Sequence, residues 1–353
     1  MRKRLGFAVL AASFACGAAH AAAYQAIYSF GDSLSDVGNA LAASSAAGDP
    51  IPLPAFYYNG RFSNGPNWVD DLAAKFGLSV SPSLAIPPGD DFAFGGAQTG
   101  ATIANPPVVG GQPVPIDLTD QVAFFKTVDR SPKSQALYTL DIGANDILDA
   151  LDGVKNGTIS SGDLTTTFLN KAVANTVGAI ASLYNDGMRS LLYYEVPDLS
   201  LVPDYEALGP TLSAEAGTLA LNFNTDVLSE VKALNLSGLT VFDIPTFSKL
   251  EQTVANPSAF GLTNVTKPCF SGDFSTAGSV CADPNQYLFW DGEHPTAAAN
   301  ALTADVAFDV LTGTPGAPSD PPAAPEPATW TMILIGFVGL GLVGLRTRGV
   351  RMA

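Results

Sequence analysis

Four short apolar runs, separated by longer stretches of mixed character, set the pattern of this chain. Residues 24–30 are apolar and aromatic and stop at Gly31, as a buried strand does where it meets its turn. Residues 134–142 repeat the form and stop at Gly143; residues 190–196 stop before Pro197, and residues 239–244 before Pro245. Between these runs the apolar positions recur at helical spacing. Val173, Val177, Ile180 and Tyr184 follow one another at steps of three or four within residues 164–184, and residues 212–234 and 296–311 read similarly. No repeat period emerges. Strands alternating with helices predict an α/β fold whose parallel sheet is covered on both faces. In such sheets ligands bind beyond the carboxyl ends of the strands, so the residues that follow each strand are where chemistry is expected.

Composition narrows the class. The 353 residues are 47% hydrophobic and 14% charged, enough to bury a core and incompatible with a disordered chain or a coiled-coil rod. The formal charge is −16, and residues 24–325 alone carry 11 basic against 32 acidic side chains, a net −21. A surface that acidic repels phosphate backbones, so nucleic acid is not an expected partner.

The two ends read as addresses. Residues 1–23 open with Arg2, Lys3 and Arg4, continue with an apolar run too short to span a bilayer, and finish in small residues, as a secretory signal does. The body is assigned to residues 24–313. A Pro- and Ala-rich linker at 314–328 follows, ending in Pro325-Glu326-Pro327. Residues 329–353 then supply an uncharged stretch, 330–345, and a tail with Arg346 and Arg348. That order resembles the PEP-CTERM sorting signal of Gram-negative bacteria. The resemblance implies a C-terminal transmembrane anchor, at least transient, processing by an exosortase, and delivery to the cell envelope, cell surface or extracellular matrix. A simple anchor would orient the body the same way, with arginines inside and body outside. After removal of the leader, Cys269 and Cys281 form an even pair in an exported chain, and a disulfide between them is expected. They and the single remaining histidine form no zinc-ligand cluster, so no metal is expected.

Three segments after the strands carry reactive side chains. The first is Gly31-Asp32-Ser33-Leu34, the second Gly143-Ala144-Asn145-Asp146, and the third Asp291-Gly292-Glu293-His294-Pro295-Thr296. Acyl transfer needs a hydroxyl, an imidazole to take its proton, a carboxylate to hold that imidazole in one tautomer, and donors aimed at the oxyanion. With His20 in the leader, any histidine-based mechanism must use His294, and Asp291 lies three residues ahead of it. Pro295 biases His294 to an extended backbone, clear of a helix that Thr296 can cap.

These segments, in this order, resemble the GDSL/SGNH hydrolase family. The first is similar to its nucleophile block and the third to its Asp-x-x-His block. Gly143-Ala144-Asn145-Asp146 is similar to the block whose Asn serves the oxyanion, and Asp91-Phe92-Ala93-Phe94-Gly95-Gly96-Ala97 to the block supplying a backbone amide, by Gly96 in preference to Gly95. Residues 59–68 resemble the lipase, haemolysin and acyltransferase branch. The resemblance implies a three-layer α/β/α sandwich, a Ser33–His294–Asp291 triad, an oxyanion hole of Ser33, Gly96 and Asn145, and an esterase or lipase reaction without cofactor. Lipid, fatty-acyl and acetylated-polysaccharide esters are all open as substrates. The non-enzymatic alternative is a surface-matrix binding protein on the same fold.

Overall fold

A computed structural model of the protein describes residues 24–100, 108–109, 112–113, 116–128 and 130–313. The expected leader, linker and membrane anchor lie outside these residues. Among the described residues no helix is long and apolar enough to cross a membrane.

The central sheet holds four parallel strands, Ala26–Gly31, Ala136–Asp141, Ser190–Tyr194 and Thr240–Ile244, adjacent in that order. Each falls inside one of the apolar runs except at Gly31, where the first strand takes in the glycine of its turn. The runs are nearly continuous because these strands are buried on both faces; all six residues of Ala136–Asp141 are buried. A parallel bridge from Ser29 to Asp91 extends the sheet on the open side of the first strand.

Alternate side chains divide the core into two layers. Tyr28, Phe30, Tyr138, Leu140, Leu191 and Tyr193 meet Phe125, Leu151, Ile180 and Phe223 from the helices Leu118–Thr127, Ala144–Lys155, Asn170–Asn185 and Pro210–Ala233. Ile27, Leu137, Leu192, Tyr194 and Ile244 meet Trp68, Val69 and Leu72 of helix Trp68–Lys75 and Ala304 and Ala307 of helix Ala297–Thr312. The protein is therefore an α/β/α sandwich. The helical pattern at 164–184 is less regular than its spacing suggests, because Leu164–Leu169 forms a wider π-type turn ahead of the regular helix Asn170–Asn185.

A third, smaller cluster lies outside the layers. Cys269 and Cys281 are joined by a disulfide with their Cα atoms 4.9 Å apart. Inside this loop Phe270 stacks on Trp290 at 5.5 Å and on Phe56 at 4.7 Å, and meets Tyr57 edge-on. The Phe270 amide donates to the Trp290 carbonyl and the Trp290 amide to the His294 carbonyl, so this cluster fixes the segment that carries the histidine.

Candidate active site

Ser33 owes its position to a turn that leaves the first strand abruptly. Gly31 adopts φ +148°, and a Cβ there would lie 2.2 Å from the Asp141 carbonyl oxygen of the neighbouring strand, so glycine alone fits. The Asp32 amide then donates to that same carbonyl, and the Asp32 carboxylate accepts from the Leu34 amide. Ser33 emerges half-buried at the carboxyl end of the sheet.

His294 reaches it from the opposite end of the chain. Its Nε2 lies 2.8 Å from Ser33 Oγ, and its Nδ1 lies 2.9 Å from both carboxylate oxygens of Asp291. Asp291 also accepts from the amides of Glu293 and His294 at 2.9 and 2.8 Å. Thr296 caps the following helix by accepting from the Ala299 amide, which releases His294 from helical geometry. Sequence reasoning missed a fourth member: Tyr57, 234 residues away, donates its hydroxyl to Asp291 Oδ2 at 2.5 Å. Within Phe56-Tyr57-Tyr58 nothing marks which aromatic turns inward. Phe62, within the 59–68 segment, packs its ring 5.1 Å from that of His294.

The two remaining segments face the same space. Asn145 stands in the first turn of helix Ala144–Lys155, and its Nδ2 donates to the Ala97 carbonyl at 3.0 Å, which leaves its second N–H available. Adjacent glycines at 95 and 96 are separated by their partners. The Gly95 amide donates to Asp36 Oδ2 at 2.8 Å, whereas the exposed Gly96 amide has no acceptor among the described residues. Asp36 also accepts from the amides of Gly38, Asn39 and Ala40, tying the Ser33 turn to the glycine loop. Ser33, Gly96, Asn145, Glu293 and His294 all line one cavity of about 500 Å³. Arg61, by contrast, pairs with Asp70 at 2.8 Å, outside that lining.

The electrostatics of the relay are set by burial and by its acids. Burial opposes charge on His294, but the charge and hydrogen bond of Asp291, with Glu293 and Asp32 beyond, prevail and push its pKa up to about 9. Burial would raise Asp291, yet His294, the Tyr57 hydroxyl and the Glu293 amide together hold it below the usual carboxylate range. Beneath Ser33, burial and the charge of Asp141 raise Asp32 well above that range, and burial pushes Asp141 to about 7. Among the described residues no group of histidine, cysteine and carboxylate side chains is arranged to hold a metal ion.

A Ser–His–Asp hydrogen-bond relay at the strand ends of an α/β/α sandwich is the layout of a serine hydrolase. The chain belongs to the GDSL-like Lipase/Acylhydrolase family, whose model matches residues 27–307. It is 28% identical to a GDSL esterase/lipase of Arabidopsis thaliana over 80% of this chain and 81% of that one. It is also 28% identical to an acetylesterase of Thermothelomyces thermophilus, over 81% and 88% of the two chains. A solved structure of a lipolytic G-D-S-L family member from Veillonella parvula DSM 2008 is similar at 12% identity, with a TM-score of 0.40 and coverage of 81% and 97%. Membership of this family supports a hydrolase acting on esters.

Proposed function

We propose that the protein is an exported serine esterase that cleaves carboxylic esters through an acyl-enzyme on Ser33. The observation that carries this reading is the 2.8 Å contact between His294 Nε2 and Ser33 Oγ, with Asp291 behind the ring. Ser33 Oγ attacks the ester carbonyl while His294 takes its proton, and Asp291 stabilises the imidazolium. The oxyanion receives the amides of Ser33 and Gly96 and the free N–H of Asn145. The engagement of the Gly95 amide by Asp36 supports Gly96 in this role. His294 then protonates the departing alcohol, and water repeats the sequence to free the acid. The leader and the PEP-CTERM-like tail support export to the cell surface with transient anchoring. The test is hydrolysis of p-nitrophenyl esters by the full chain beside Ser33→Ala. Turnover is expected to vanish in the variant, and full activity there would overturn the mechanism.

A further inference from the structure

The cavity on which Ser33 opens is far larger than the reaction itself requires, and its walls are mostly apolar. Besides Ser33, Asn145, Glu293, His294 and the two glycines, it is lined by Ala40, Ala43, Ser44 and Ala47 on one wall, by Asp49, and by Ile51, Phe62, Phe94, Leu148 and Phe274 on the others. At roughly 30 Å³ per small heavy group, the share a water takes in the liquid, an acetyl group would leave most of the 500 Å³ unfilled.

We infer that this cavity is an acyl groove selecting medium-chain fatty-acyl esters of about eight carbons, with Ala40, Ala43 and Ala47 setting its bore. The inference rests on Ser33 being the nucleophile and names the substrate class for that site.

The groove has a direction. Its inner end is at Ala40, whose methyl lies 3.3 Å from where a Cβ on Gly95 would stand, beside the Phe62 ring that packs on His294. Ala43 follows, only 4% exposed. Ala47 and Asp49 are exposed and form the mouth. All three alanines belong to helix Asn39–Ala47 and recur at helical spacing, so they present a row of single methyl groups along one wall. That helix is pinned at its start, where Asn39 donates to the carbonyls of Asp91 and Ala93. Opposite stands Phe274, at the tip of the disulfide loop; its ring meets Phe62 at 6.1 Å and its carbonyl accepts from the Leu53 amide.

From Ala40 to Ala47 the helix rises about 10 Å, at ~1.5 Å per residue. An extended chain of ~1.5 Å carbon–carbon bonds advances about 1.3 Å per carbon, so about eight carbons span this wall. Each methylene buried on the way should raise kcat/KM by up to about fourfold. Beyond the mouth a chain meets water and Asp49, and gains nothing further.

The test is kcat/KM for p-nitrophenyl acetate, butyrate, octanoate and decanoate, with Ser33→Ala as blank and with Ala43→Phe and Ala47→Phe variants. The wild type should rise by more than a hundredfold from acetate to octanoate and level off. Ala43→Phe, which fills the bore, should lower the octanoate-to-acetate ratio by at least thirtyfold. Ala47→Phe, at an exposed position that tolerates a large ring, should turn the plateau beyond octanoate into a fall. A wild type that prefers acetate, or a folded Ala47→Phe protein with the wild-type profile, overturns the groove while Ser33→Ala stays inactive. An active Ser33→Ala protein overturns the nucleophile itself, and the two failures are thereby distinguished.

Discussion

The pKa of His294 makes the pH profile the most exacting check on the site. In the proposed mechanism only the neutral ring can take the Ser33 proton, and Asp291, Glu293 and Asp32 hold the charged ring in place up to about pH 9, against an ordinary value of 6.5. At pH 7 a two-unit gap leaves about one ring in a hundred neutral. The expected kcat/KM therefore climbs about tenfold per pH unit between 7 and 9 and levels above. The same shift acts on stability. A folded pKa above the unfolded one means that the ion pair's full contribution, about 3 kcal/mol, is present below pH 6.5 and is lost as pH rises through about 9. The lowered pKa of Asp291 reports the same pair and adds nothing to that figure. The assay is initial-rate ester hydrolysis in a pH-stat, with Ser33→Ala subtracted at each pH, beside urea denaturation at pH 6 and pH 9.5. An acid limb with its midpoint near 6.5, or equal stability at the two pH values, would refute the reasoning.

Three substitutions test the geometry around that ring. Tyr57→Phe removes one donor to Asp291; stability should fall by about 1.5–3 kcal/mol in urea unfolding, and the acid limb should move upward as the carboxylate leans more strongly on His294. Asn145→Ala should lower kcat by on the order of 10²–10³ with KM little changed, read from initial rates at saturating ester. Gly31→Ala forces a Cβ into the Asp141 carbonyl, so a loss of up to about 3 kcal/mol is expected, measured as a lower thermal midpoint.

The strands were legible because burial on both faces writes a continuous apolar run, and the pauses at Gly31 and Gly143 pointed to the residues that follow. Helix Asn39–Ala47 was not legible. It pairs a cavity wall of alanines with a largely exposed face of small and polar residues, so no amphipathic contrast marks it. The strand Thr240–Ile244 lies at the sheet edge with its first two residues exposed, yet its run still reads as apolar, since an edge strand keeps a half-buried face. The site divides in the same way. Ser33, Asp291 and His294 could be nominated because each stands in a block that resembles the family's, and the structure brings them within hydrogen-bonding distance. Tyr57 could not, since its hydrogen bond to Asp291 closes across 234 residues and leaves no local trace.

The choice between Gly95 and Gly96 shows where spacing stops and structure begins. The family block prefers Gly96, and Asp36, by engaging the Gly95 amide, supports that preference. This buried carboxylate gathers four backbone amides, three from the turn after Ser33 and one from Gly95. Burial still raises it to about 6, so these bonds compensate only part of the desolvation, and the carboxylate persists there as a connector. Its neighbour Asp91 repeats the arrangement, accepting from the amides of Val37 and Ala93 and from the Asn39 side chain. The two acids join the loop that carries Ser33 to the loop that carries Gly96. The placement of Ser33 relative to Gly96 is thus held by two buried carboxylates, Asp36 and Asp91. Because three amides after Ser33 and the Gly95 amide all depend on Asp36, that one carboxylate ties together the two loops beside the cavity, and the bore depends on the side chains that line it.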